Sequence, residues 1–139
     1  MRAKDNVITD VAAGLVFRDG KLLITLRYDD AHLGGLWEFP GGKLERGETF
    51  EECLLRELQE ELGIDVEIRD LIETDTHAYP GKTVRLKFFR CRWKAKEPQA
   101  LGCADFKWVK AGELKGYKFP AADAVLIERL RKEKQLWTD

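Results

Sequence analysis

The stretch GKLERGETFEECLLRELQEELGI, Gly42–Ile64, decides how the rest of the chain is read. Glu57, Glu60 and Glu61 fall three or four positions apart, so on a helix they share one face. Phe50, Leu54, Leu58 and Leu62 form an adjoining apolar stripe for a core to cover. Like charges at such spacings destabilise an isolated helix by a few tenths of a kcal/mol per pair. A divalent cation removes that repulsion and makes the cluster an oxygen-rich site. Mg2+ suits it, since it takes one or two carboxylates, several waters and a substrate phosphate. The ordinary alternative is an acidic face that meets only water.

Neighbouring residues favour the site. Thr49 and Glu52 make a capping box that starts the helix after Thr49, and Gly63 supplies a left-handed C-terminal cap. Arg56 stands four residues before Glu60 and can hold its carboxylate. Ahead of the helix, Pro40-Gly41-Gly42 reads as a loop whose bare backbone can approach a ligand or offer a carbonyl to a metal. Glu48, at the loop-to-helix junction, can reach back to the same place.

With Gly42, Glu48, Arg56, Glu57, Leu58, Glu60, Glu61, Gly63 and Ile64 all at fixed spacing, the segment resembles the signature of the Nudix hydrolases. The resemblance implies an α/β fold, a mixed β-sheet between α-helices in an α/β/α sandwich. It also implies a metal site built from Glu57, Glu60, Glu61 and the Gly41 carbonyl, with Mg2+ as cofactor and Mn2+ able to substitute. Arg56 and Glu48 join the carboxylates in the catalytic set.

Composition sets the outer bounds. The 139 residues fit a single domain, 1–139, with 44% hydrophobic and 35% charged residues. A net charge of -1 offers no whole-molecule attraction to nucleic acid or membrane. Cys53, Cys91 and Cys103 have no C-x-x-C spacing, which argues for a reducing compartment and a cytoplasmic location. The run Met1–Asn6 leads into a strand without a signal-peptide core, and no apolar run reaches the ~18 residues of a membrane span.

Taken in order, Val7–Phe17 is β-branched and aliphatic, with Ala12-Ala13-Gly14 implying a tightly packed centre. Asp19-Gly20 signals a hairpin into Lys21–Arg27. A polar loop from Tyr28 to Leu36 leads to Trp37-Glu38-Phe39, a short strand. After the helix, Ile64–Ile68 alternates as a half-buried strand, Leu71–Ala78 continues extended, and Tyr79-Pro80-Gly81-Lys82 turns. Thr83–Trp93 and Phe106–Val109 read as strands, and Ala111–Leu114 as one helical turn. A second helix is expected from Pro120 to about Gln135, facing Leu126, Ile127 and Leu130 inward.

Beyond the signature, the chain is similar to the MutT-like branch of that family, whose pattern runs without a gap from Leu22 to Asp123. That similarity implies a nucleoside triphosphate pyrophosphohydrolase releasing a monophosphate and diphosphate. It places Arg27 and Lys82 toward phosphate, His32, Glu38 and Phe39 near the base, and Asp123 on the base edge. Each has an ordinary reading too: Arg27 and Lys82 as surface cations, His32 as a solvated loop residue, Phe39 as core, and Asp123 as a carboxylate favoured by the helix dipole. MutT enzymes proper carry Asn at the Asp123 position, and the CTP pyrophosphohydrolases carry Asp. Asp only accepts hydrogen bonds when ionised, so it suits a base edge that donates. This raises cytidine nucleotides beside oxidised ones such as 8-oxo-dGTP.

Relatives often carry a further glutamate where this chain has Gly102. Water activation then falls to the helix, with Glu60 the first candidate, or to Glu97 or Asp105. The partner is a nucleotide, with no nucleic-acid polymer and no membrane, and the protein is a monomer or a homodimer formed through an edge strand. Rival readings are cleavage of ADP-ribose, nucleotide sugars, coenzyme A or dinucleoside polyphosphates, or a non-catalytic nucleotide sensor. A sensor usually loses signature carboxylates, and this chain keeps them all.

Overall fold

The computed structural model describes residues 7–138, so the expectation for Met1–Asn6 lies outside the described residues. Strand β1 (Val7–Arg18) is the spine, because its side chains alternate between two apolar layers. Ala12 and Val16 face one layer, and Ala13, Leu15 and Phe17 face the other. Asp19 and Gly20, with φ of 51° and 77°, turn the chain into β2 (Lys21–Leu26). Strands β3 (Trp37–Glu38), β4 (Gly41–Lys43), β5 (Asp65–Tyr79), β6 (Lys82–Ala95) and β7 (Asp105–Val109) complete a seven-stranded sheet. Its main path runs β3-β2-β1-β6-β5, with β4 paired to β1 and β7 to β2. The β1–β6 pair is parallel and the others antiparallel, so the sheet is mixed.

Helix α1 (Phe50–Leu62) covers one face, burying Cys53, Leu54, Leu58 and Leu62 against Ala12, Val16, Leu23, Phe89 and Cys91. Helix α2 (Ala124–Lys132) covers the other, where Leu126 and Leu130 meet Leu15, Phe17, Leu22 and Phe88. This is the α/β/α sandwich expected above. The α1 capping box is present: Glu52 N–H donates to Thr49 Oγ1 at 3.0 Å, and Thr49 N–H donates to Glu52 Oε1 at 2.9 Å. Gly63 ends the helix in the left-handed region, φ 69°.

Two expectations need correction. Gly41 and Gly42 lie in a strand rather than a loop, paired with Ala13 and Ala12. The sheet demands glycine here, since a Cβ on Gly41 would lie 2.0 Å from the Ala12 carbonyl oxygen. The extended run after the signature does continue as one strand, Asp65–Tyr79, with register shifts between Ile68 and Leu71 and between Leu71 and Glu73. The last helix is shorter than expected. A 3-10 turn at Ala121–Asp123 precedes α2, and a second at Lys134–Trp137 follows it. The chain leaves the helix at Glu133 so that Trp137 can bury edge-on against Phe17, its indole N–H donating to the Leu130 carbonyl at 2.8 Å.

Glycine at these two positions has unequal cost to replace. Gly63→Ala is expected to lower unfolding free energy by about 1–2 kcal/mol, the left-handed penalty. Gly41→Ala should cost about 3 kcal/mol or more, because backbone must move. Urea unfolding of both variants checks this ordering.

Candidate active site

Arg56 organises the acidic ridge of α1. Its Nε donates to Glu48 Oε2 at 2.6 Å and its Nη2 to Glu48 Oε1 at 2.9 Å. Its Nη1 reaches Glu57 Oε2 at 2.9 Å and Glu60 Oε1 at 3.1 Å, while Nη2 also donates to the Lys43 carbonyl at 3.1 Å. One guanidinium thus ties the helix to β4 and to the loop before α1. The Arg56 hydrogen bonds, with one from the Glu45 backbone, hold Glu48 down to about 2. Glu57 responds in the opposite direction: burial raises it, against the pull of Arg56. Its carboxylate lies over Gly42, where a Cβ would approach Glu57 Cδ to 2.4 Å.

Glu61 turns from the same ridge into a cavity of about 420 Å3. Burial, then the charges of Glu38 and Glu57, push its carboxyl up to about 8, while Thr25 and Arg27 oppose the shift. Thr25 is fully buried. Among the described residues, Glu61 Oε1 is the buried side-chain polar atom left without a hydrogen-bond partner. Such an oxygen is costly unless something fills it. Glu60 differs: 61% of its side chain is exposed, and it faces Arg56 at the ridge's outer edge.

The cavity runs from Glu61 and the Gly41–Lys43 strand, past Arg27, Glu38 and Phe39, to β5 and the start of α2. Arg27 is already engaged, donating to Glu38 Oε1 at 3.0 Å and to the His32 carbonyl at 2.7 Å. Glu38 is raised, chiefly by burial and against Arg27. Phe39 is both core and cavity wall. It is 5% exposed, stacks on Phe119 at 5.3 Å and meets Phe88 edge-on at 6.2 Å. Asp123 closes the far end; burial, Asp75 and Glu38 push it up to about 6, with His77 opposing.

Two expected binding residues stand outside. His32 contributes its backbone carbonyl to Arg27, and its side chain does not line the cavity. Lys82 opens β6 opposite Tyr79 and is exposed, also away from the cavity wall. The loop 28–36 folds back on Arg27 through the His32 carbonyl, and Lys82 shares a sheet face with Tyr79, which does line the cavity. The substitute bases fare no better. Glu97 is 71% exposed and held bidentate by Arg18 at 2.9 Å, and Asp105 caps the Phe106 N–H. Gly102 does line the cavity, its N–H donating to the Glu61 carbonyl at 3.0 Å.

Sequence reading missed Lys43, Leu33, Asp75, His77 and Tyr79, all of which line the cavity. The Asp75-x-His77-x-Tyr79 alternation on a strand was the available signal for three of them. The cysteines are buried, and desolvation pushes Cys53 and Cys103 up to about 11 and Cys91 to about 12, so none is a thiolate nucleophile.

The fit to a metal ion is partial as the side chains stand. Among the described residues, no three acidic, histidine or cysteine groups converge closely enough to hold one. Glu57 and Glu60 are drawn toward Arg56, and Glu61 offers a free oxygen beside them. Hard oxygen donors of this kind suit Mg2+.

Comparison with known proteins agrees with this geometry. The NUDIX domain family matches residues 12–129. The 8-oxo-dGTP diphosphatase of Proteus vulgaris is 48% identical over 94 residues, covering 66% of this chain and 84% of that protein. The CTP pyrophosphohydrolase of Escherichia coli is 34% identical over 124 residues, covering 86% and 88%. The solution structure of the E. coli ORF135 protein superposes with a TM-score of 0.77 at 29% identity, covering 92% of this chain and 91% of that one. The chain belongs to the NUDIX domain family and is an enzyme, a Nudix hydrolase. Its relatives are named as diphosphatases, and Nudix hydrolases generally use divalent metal ions. No helix among the described residues is long and apolar enough to cross a membrane.

The buried carboxyls make metal-free stability pH-dependent with a definite sign. Glu61 titrates higher folded than its ordinary 4.5, so its contribution is full below that value and is lost as pH rises through about 8. Asp123 behaves likewise between 3.8 and about 6. The metal-free unfolding midpoint should therefore fall from about pH 5 to about pH 9, and Glu61→Gln should flatten the upper part, ending about 5 °C or more above wild type at high pH. Thermal melts in chelator across that range check it; a variant as pH-sensitive as wild type contradicts it.

Proposed function

We propose that this enzyme is a Mg2+-dependent nucleoside triphosphate pyrophosphohydrolase that converts (d)NTP and water to (d)NMP and diphosphate. It removes oxidised or pyrimidine nucleotides, 8-oxo-dGTP and CTP or dCTP among them, from the free pool. The observation that carries the reading is the partnerless buried oxygen of Glu61, a residue on the wall of a cavity that Asp123 also lines. One end is built for a cation and phosphate, the other for a polar base edge, and aromatic and aliphatic walls join them. The relatives named as acting on 8-oxo-dGTP and CTP support the substrate class.

Glu57, Glu60 and Glu61, with the Gly41 carbonyl, would hold the metal, and Mn2+ would fit the same oxygen donors. When bound, the ion supplies charge neutralisation to the phosphates and acidifies water for attack on the phosphoanhydride. Within the protein, Arg56 keeps Glu57 oriented over Gly42. Burial raises Glu57 toward the proton affinity a general base needs, and 61% of the Glu60 side chain lies in solvent. The base role expected of Glu60 therefore passes to Glu57, with Glu60 retained as an outer metal ligand. Arg27 and Lys43 present the cationic groups of the cavity wall to phosphate. Phe39 supplies an aromatic edge for the base. The chain works as one domain, and its three unpaired cysteines suit a reducing cytoplasm.

Steady-state assays on a panel of NTPs and dNTPs, following monophosphate and diphosphate with and without Mg2+, test the reading. Turnover that requires metal and yields those two products is expected, and fastest turnover of ADP-ribose or a diadenosine polyphosphate would overturn it. Glu57→Gln and Glu61→Gln should each lower kcat by about a hundredfold or more, and Glu60→Gln by less. Glu97→Gln should stay within about threefold, in keeping with an exposed ion pair.

A further inference from the structure

The base end of the cavity is more elaborate than the single carboxylate read from the sequence. Asp75 and His77 stand two residues apart on β5, on the same face of the sheet as their partners Leu86 and Val84 on β6. All four line the cavity, as do Phe88 behind them and Asp123 at the start of α2. Asp123 is electrostatically coupled to both Asp75 and His77. Two carboxylates and an imidazole thus meet at one end of a pocket whose adjoining wall is apolar.

Resting on the nucleotide reading above, we propose that His77 and Asp75 act with Asp123 as specificity residues that read the hydrogen-bonding edge of the base. They favour an edge that carries an amino group beside an acceptor. The chemistry follows from what each group offers. A carboxylate accepts, and a neutral imidazole donates from one nitrogen. Asp75 and Asp123 take up amino hydrogens, and the His77 ring N–H meets the neighbouring acceptor.

Cytosine presents N4-H2 next to N3, and adenine presents N6-H2 next to N1. Guanine presents N1-H and N2-H2 next to O6. Uracil and thymine present a single imide N-H between two carbonyls. Against two carboxylates, those carbonyls are repelled and at least one acceptor of the protein is left unmatched, which disfavours binding more than a lost contact alone would. Discrimination in this site therefore works by rejecting uracil and thymine as much as by holding the amino bases. The apolar faces of Val84, Leu86 and Phe39 accept any planar ring and add no preference of their own.

The test combines binding and turnover. Isothermal titration of CMP and UMP to the wild-type protein needs no catalysis, and kcat/KM for CTP and UTP reports the same choice during reaction. Wild type is expected to favour the cytosine nucleotide by about tenfold or more in both measurements. His77→Ala and Asp75→Asn should each bring the ratio to within about threefold, the first by weakening CMP and raising KM for CTP, the second by strengthening UMP, because an amide can donate to a uracil carbonyl. His77→Gln, whose amide still donates, should keep most of the preference. Melting curves identify any variant that has lost its fold, in which case His77→Gln and Asp75→Asn decide. Equal affinity of wild type for CMP and UMP overturns the proposal, and so does an equal loss for both bases in the variants. Selective CMP binding without turnover of any triphosphate would sink the pyrophosphohydrolase reading and leave this one standing. Turnover without base preference would do the reverse.

Discussion

A carboxylate taken out of water with one oxygen unmatched is the constraint on which this structure turns. Glu61 reaches that state because α1 is pinned from both ends, by its capping box at Thr49 and by Gly63, and packs through Leu54, Leu58 and Leu62 onto β1 and β6. The helix cannot rotate its acidic ridge to solvent without uncovering that stripe. Burial of the leucines, each worth about 1.5–3 kcal/mol, therefore holds Glu61 where solvation alone would not leave it. Arg56 performs the complementary task on the outer side, where it joins Glu48, Glu57 and Glu60 to β4. A site poised in this way is destabilising to the bare protein and gains from any ligand that supplies positive charge.

Backbone fit matters as much as charge. Strand β4 lies so close to β1 that a side chain at Gly41 would overlap the Ala12 carbonyl, and Gly42 leaves its space to the Glu57 carboxylate. The small residues are thus concentrated where the helix, the sheet and the cavity floor meet. They bring the acidic ridge within reach of the strand that lines the cavity. On the opposite face, Leu126, Leu130 and Trp137 fasten α2, which fixes Asp123 at the cavity's far end.

The signature stretch was readable in advance because its information is local. Capping residues, helix periodicity and the glycine stop all act within a few positions of themselves. The alternating runs of β1, β6 and β5 also announced themselves. What could not be read were features that depend on contacts distant in the chain. Gly41-Gly42 looked like a loop because the strand it pairs with lies about thirty residues earlier. Glu60 and Glu61 sit side by side in sequence, but Glu61 is enclosed among Thr25, Glu38 and the β6–β7 connection at Gly102 while Glu60 stays in water. Lys82 and His32 are placed at the site by resemblance; neither lines the cavity, although Lys82 stands opposite Tyr79, which does. Asp75 and His77 passed as ordinary strand residues because nothing in their immediate neighbourhood says which face meets a cavity.

The central claim is that the ridge of α1 seats a divalent cation beside a nucleotide. Its most direct test is the anomalous diffraction signal of crystals grown with Mn2+ and a non-hydrolysable nucleoside triphosphate. The account predicts a peak within bonding distance of a Glu61 oxygen, Glu57 swung away from Arg56 toward it, and the base lying between Phe39 and Asp123. A cavity holding the nucleotide with no metal peak at the ridge, and Glu57 and Glu60 still bound to Arg56, would contradict it.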